Sequence, residues 1–245
     1  PMTLVLERTN GCPVAMLTTA GLNKIALRVP AHEQAQKLLA ICEMPIAAPS
    51  ANPSGRISPS TADHVYAGLA GKIDLILDGG PCENGLESTI IDCSGEAPVL
   101  LRPGGISRGA IETALHSAGL HCQLRDTNAL LNHGQPVAPG QLQSHYAPAA
   151  NVRLNATSQQ GDEELIGFGP IPGAGELSLS LSQSGNIKEA AANLFSILHQ
   201  VNAVTTGTNR CIAIAPIPKD GIGEAINDRL QRAAAPRNEP SGATK

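Results

Sequence analysis

Short apolar, β-prone runs alternate with segments of helical period along nearly the whole chain, and a single proline-rich stretch interrupts them. This alternation constrains the fold most, because a change of period from two residues to about 3.6 marks a change of element. Residues 3–7 are apolar and β-rich, and residues 24–29 alternate in strand period and stop at Pro30. Residues 31–42 place apolar side chains at 35, 38, 39 and 42, a helical spacing. Residues 45–49 are a short apolar run. Residues 61–69 read as a helix capped by Ser60 or Thr61. Residues 75–77, 88–93 and 99–101 read as strands, and Ser107 caps a helix running to about 118. Mixed strands and helices with short connections predict an α/β layered domain.

From about 119 to 150 the chain changes character, and residues 121–131 are polar and give no clear period. Pro136, Pro139, Gly140 and Pro148 make 135–148 a linker. Beyond it, strand runs at 151–154, 165–168 and 211–216 alternate with helical runs at 187–201 and 221–235. That is the pattern of a small Rossmann-like sheet, without the glycine fingerprint of a dinucleotide site. The predicted organisation is a first domain over 1–118, a linker over 119–150 and a second domain over 151–245. No internal repeat is visible.

A hydrophobic fraction of 42% supports a core. The net charge of −4 and only 2% aromatics argue against a surface built to grip phosphate backbone or stack bases. The six cysteines form no CxxC pair and no zinc spacing, which fits small core thiols in a reducing cytosol. The seven histidines show no HxxxH or HExxH spacing. No signal peptide is visible and no apolar run approaches the roughly 20 residues of a membrane helix. The chain opens at Pro1 within a strand-like run, as expected of a fragment whose N-terminal part is absent.

Three segments carry candidate chemistry. In 47–60 an apolar run enters a loop rich in Ser, with Asn52, Gly55 and Arg56, and a helix follows. Hydroxyls, glycine N–H groups and a helix N-terminus suit phosphate oxygens, although the same composition describes an ordinary surface loop. Residues 86–92 read Leu-Glu-Ser-Thr-Ile-Ile-Asp. In 100–105, Arg102 leaves a strand at a Pro-Gly-Gly turn, where its fork suits a ligand anion or a protein carboxylate. Arg28, between Leu27 and Val29 on a half-buried strand, calls for an anionic partner of either kind. His145 and Tyr146 sit in the linker, where Tyr146 packs on a domain or covers a ligand; spacing does not choose.

Taken together, residues 45–55 (Pro-Ile-Ala-Ala-Pro-Ser-Ala-Asn-Pro-Ser-Gly), 78–82, 86–90, 101–106 and 138–148 resemble the Sua5/YrdC/YwlC family. The closing run at 225–234 resembles its long, two-domain form. The resemblance covers almost the whole chain in order. It implies a twisted, open, mixed α/β sheet with a concave cavity, followed by a small Rossmann-like domain. It also implies an enzyme, a nucleotidyltransferase that makes L-threonylcarbamoyladenylate and pyrophosphate from L-threonine, bicarbonate and ATP. A downstream transfer system then places the threonylcarbamoyl group on adenosine 37 of tRNA.

By the same resemblance, Arg28, Ala48 and Ser88 contact threonine. Lys24, Ser50, Ser58, Arg102 and Tyr146 line the ATP side, with Lys24 standing where the family has Thr. Mg2+ accompanies ATP with no protein ligand assigned, and the location is cytoplasmic. The family's N-terminal Lys/Arg cluster is expected to lie outside this chain, leaving part of the cavity wall absent and the fragment inert. A rival reading is a non-catalytic RNA-binding or translation-associated module, with tRNA or double-stranded RNA as its partner. A second is a carbamoyl-transfer enzyme, against which the second domain argues.

Overall fold

The computed structural model describes residues 2–126, 145–171 and 179–236. The chain divides into two compact units, each discontinuous in sequence: 1–49 with 87–139, and 50–86 with 140–245.

The first unit is built on a five-stranded mixed sheet of order β2-β1-β3-β4-β5. Its strands are β1 (Met2–Glu7), β2 (Lys24–Leu27), β3 (Thr89–Asp92), β4 (Val99–Arg102) and β5 (Arg125–Asp126). β1 runs antiparallel to β2 and parallel to β3, and β3 runs antiparallel to β4. Alternation sorts the apolar residues onto two faces. Val5, Ile90, Val99 and Leu101 cluster on one. Ile91 and Leu100 cluster on the other with Ile111 and Leu124. Ile111 belongs to α3 (Arg108–Ser117), whose Ser107 N-cap accepts from the Ala110 N–H. Helix α1 (Glu33–Cys42) also forms, but it buries none of its residues.

Two expectations are corrected in this unit. β2 ends at Leu27, so Arg28 lies one residue past the strand and is exposed instead of half-buried within it. The polar stretch that gave no period contains β5, which pairs with β4 at Val99–Arg125 and Leu100–Asp126.

The second unit holds α2 (Ala62–Leu69) and a three-stranded parallel sheet of order β6-β8-β7. Its strands are β6 (Val152–Leu154), β7 (Glu164–Ile166) and β8 (Ile212–Ile214), and β8 is wholly buried. Helix α4 (Ile187–Thr205) begins where the Asn186 side chain accepts from the N–H groups of Lys188 and Glu189. Ala190, Leu194, Leu198, Val201 and Thr205 then recur on its buried face at helical spacing. Helix α5 (Gly223–Ala234) adds Ala225, Ile226 and Leu230 to the same core. Ile57, Leu86 and Tyr146 join that core too, which explains why residues 50–86 go with this unit.

Residues 75–77, expected as a strand, form none. Leu75 and Leu77 are 83% and 60% exposed, and the run pairs with no strand among the described residues. A strand needs a ladder partner, and apolar composition alone does not supply one. Thr61, not Ser60, caps α2, its hydroxyl accepting from the His64 N–H. The part of the linker at 127–144 lies outside the described residues, including most of the 138–148 motif.

Candidate functional site

At one end of the five-stranded sheet, polar side chains replace apolar ones. The hydroxyls of Thr3 and Ser88 lie 2.7 Å apart, both buried. Arg102 donates from Nε (3.2 Å) and Nη2 (2.9 Å) to the Ser88 carbonyl, and from Nη2 to Ser88 Oγ (3.2 Å). These two nitrogens hold the residue that leads into the neighbouring strand β3.

A register shift between Ile90 and Ile91 makes this possible. Ile91 pairs with Leu100, but Ile90 pairs with Arg102, so Leu101 is the extra residue of a bulge. A bulge re-aims the side chain that follows it. Here it sets Arg102 on the face of Ile90, and so on that of Ser88, two residues earlier.

The Pro-Gly-Gly turn closes over the same backbone. A Cβ on Gly104 would lie 2.4 Å from Thr89 N and 2.5 Å from Glu87 O, so no larger residue fits without displacing the strand. Thr89 Oγ1 donates to the Ile106 carbonyl and accepts from its N–H. The two sequence motifs at 86–90 and 101–106 are thus one hydrogen-bonded structure.

Continuing the β1–β2 register by one residue sets Arg28 opposite Thr3, at this same end. Lys24 lies at the other end of β2, four residues or roughly 13 Å away. There it forms an ion pair of 2.9 Å with Asp92. Burial works against the Asp92 charge, but hydrogen bonds from Ser94 and Lys24 outweigh it and hold the carboxyl below its ordinary value. Ala48 is exposed in the loop that follows α1.

In the second unit, Ser50 is exposed and Ser58 is buried. The loop between them is tied down repeatedly. The Ala147 N–H donates to the Gly55 carbonyl (3.1 Å), and the Cys82 N–H to the Ser60 carbonyl (2.9 Å). His199 Nε2 donates to the Ser58 carbonyl (3.1 Å). The Ser60 N–H meets His64 Nδ1 (3.3 Å), and the two imidazoles stack with centroids 3.8 Å apart. Burial pulls both histidines below the usual value; Asp63 offsets part of this for His64, while the His64 ring adds to it for His199.

Tyr146 is buried against Phe195, with the Arg229 guanidinium 5.5 Å from its ring centroid. Its φ of 61° is a left-handed conformation that a bulky residue adopts only where its surroundings hold it. Tyr146 thus packs within the second unit.

Thr3 was not singled out in the sequence, Asp92 lay in the 86–92 segment without a role, and His64 and His199 stood only among the histidines that show no ligand spacing. Thr3 had a signal, a hydroxyl at a buried position of an apolar strand. The histidines had none, because their partnership spans 135 positions. Among the described residues no group of three or more His, Cys, Asp or Glu side chains could hold a metal ion. No helix among them is long and apolar enough to cross a membrane.

Residues 1–104 match the Sua5/YciO/YrdC family model, described as telomere recombination. Residues 106–235 match the model described as the threonylcarbamoyl-AMP synthase C-terminal domain. A threonylcarbamoyl-AMP synthase of Pyrococcus abyssi is 36% identical over 97% of this chain and 71% of its own length. One from Bacillus subtilis is 36% identical over 89% of this chain and 65% of its own length. The crystal structure of P. abyssi Sua5 complexed with L-threonine superposes with a TM-score of 0.78 at 34% identity, covering 96% of this chain and 70% of the other. The mixed sheet agrees with that neighbour, and the names of the relatives favour an enzyme over an RNA-binding module. The chain belongs to the threonylcarbamoyl-AMP synthase family of the Sua5/YciO/YrdC type.

Proposed function

We propose that this protein takes part in forming threonylcarbamoyl-AMP from L-threonine, bicarbonate and ATP. The amine of threonine and CO2 from bicarbonate give a carbamate. A carbamate oxygen attacks the α-phosphorus, the bond to the β-phosphate oxygen breaks, and pyrophosphate leaves. Little covalent work falls to the protein, so its contribution is positioning and charge compensation. The carrying observation is the buried Thr3–Ser88–Arg102 group at one sheet end, held by a bulge and a glycine turn.

In this reading Arg28 meets the threonine carboxylate, Ser88 holds the same substrate, and Ala48 offers backbone beside them. Arg102, Ser50, Ser58 and Tyr146 serve the nucleotide. Lys24 belongs to the ATP side by resemblance, and its bond to Asp92 makes it the weakest member of that set. Mg2+ would accompany the nucleotide, held chiefly by its phosphates and water, with no protein ligand assigned. The functional division is a catalytic part over 1–118, a linker over 119–150 and a C-terminal domain over 151–245. It cuts the chain differently from the compact units, which assign 50–86 to the second. The product would pass, in the cytoplasm, to a system that modifies tRNA.

The test is pyrophosphate release by the product of the complete reading frame that encodes residues 1–245. Release should require ATP, L-threonine and bicarbonate together, and mass spectrometry should find threonylcarbamoyl-AMP. Release that ignores the omission of threonine would sink the reading.

A further inference from the structure

We infer that His199, on helix α4, is a positioning residue that fixes the wall segment carrying Ser58. This rests on the reading of Ser58 as an ATP contact. The segment 57–60 has little regular structure of its own, and residues 53–60 contain two prolines, which donate no N–H. Its geometry must come from outside it. Ile57 and Ser58 are both buried, Ile57 in the same apolar cluster as Leu194 and Leu198 of α4. His199 follows Leu198 directly and lies half-buried at the edge of that cluster.

Beside the 2.9 Å bond from the Cys82 N–H to the Ser60 carbonyl, two histidines fix the segment. His199 Nε2–H donates to the Ser58 carbonyl at 3.1 Å, so the proton sits on Nε2. The His199 ring lies face to face with His64, at 3.8 Å between centroids and 19° between planes. His64 turns Nδ1 toward the Ser60 N–H at 3.3 Å and the Ser60 hydroxyl at 3.2 Å. One ring thus holds the carbonyl before Pro59, and the other holds the amide after it. The stack fixes the two rings to each other. A long, well-packed helix supplies the rigidity that a proline-rich loop lacks, as precise binding geometry requires. Asp63 is the charged group that acts on this pair, through His64.

The test compares His199→Ala and His199→Gln in the product of the complete reading frame that encodes residues 1–245. The Gln amide nitrogen can occupy the place of Nε2 and donate to the same carbonyl. Hydrogen–deuterium exchange is read on the peptide covering 57–66, and ATP binding by calorimetry. The Ala variant should exchange this peptide about tenfold faster and bind ATP about tenfold more weakly. The Gln variant should recover most of both. Unchanged exchange in the Ala variant overturns the inference. So does exchange that rises equally throughout the second unit with no recovery in Gln, which would mark His199 as a general packing residue. If exchange rises as expected and unaltered protein binds ATP but the Ala variant binds it equally well, Ser58 is held but is no ATP contact. If the unaltered protein binds no ATP at all, the underlying reading fails, and with it the role of this segment as a binding wall.

Discussion

Arg102 reaches over the neighbouring strand and grips Ser88 through both its backbone carbonyl and its hydroxyl, with Nη2 at 2.9 and 3.2 Å. The residue assigned to the nucleotide and the residue assigned to threonine are therefore one mechanical unit. Disturbing either should be felt at both ligands.

Replacing Arg102 with Ala should weaken both ATP and threonine binding. A hydrogen bond to a charged group contributes about 1.5–3 kcal/mol, or roughly ten- to a hundred-fold in affinity. Lys has one ammonium in place of a planar fork, so Arg102→Lys should recover only part. Calorimetric titration of both ligands checks this. Loss confined to ATP would show that Arg102 and Ser88 act independently.

Gly104→Ala should destabilise the first unit although the change is one methyl. Its Cβ would fall within 2.6 Å of three backbone atoms of 87–89. Forced overpacking costs about 1–3 kcal/mol. Gly95→Ala, also in the first unit, where a Cβ would meet nothing within 4 Å, is the control. Equal urea midpoints for the Gly104 variant and unaltered protein would contradict the close approach.

Arg28 is exposed, so its loss should leave thermal stability nearly unchanged. Arg28→Ala should nevertheless raise the threonine requirement well above any change for ATP. A fall in Tm with threonine affinity intact would remove Arg28 from the threonine site.

Lys24→Met should release the Asp92 carboxyl toward its ordinary value. That carboxyl is depressed in the folded protein, so it contributes stability above the usual value of 3.8 and loses it as pH falls through the folded value. Part of the acid-side loss of stability should therefore disappear in the variant. Urea unfolding at pH 7 and pH 3 should show a smaller difference for Lys24→Met than for unaltered protein.

The stacked histidines should make the second unit sensitive to mild acid. Both imidazoles sit below the usual 6.5, so the unfolded chain binds more protons near that pH than the folded one. Stability is then complete above about 6.5 and falls as pH drops toward the folded values. Protonating His64 also takes away the acceptor of the Ser60 N–H and sets a cation against His199. His199→Gln keeps a donor but cannot titrate, so its Tm should fall less between pH 7.5 and 5.5. An identical fall in both proteins would exclude the pair as its source.

Local period and turn chemistry made most elements legible. β1, β3, β4 and α3–α5 stand close to where their patterns lie, because each buries an apolar face at a spacing the chain displays. The motifs at 86–90 and 101–106 were visible as candidates because Ser, Arg and paired glycines interrupt apolar runs. What period cannot express is pairing. Residues 75–77 have strand composition but no partner strand, and Arg28 falls one position beyond a ladder. The bulge at Leu101 that turns Arg102 onto Ser88 exists only as a relation between two strands. Lys24 found Asp92, and His64 found His199, through contacts between residues 68 and 135 positions apart. Side chains so distant meet only when the chain closes on itself. Tertiary structure therefore decided which polar groups share a site, while the sequence alone determined which residues were able to serve in one.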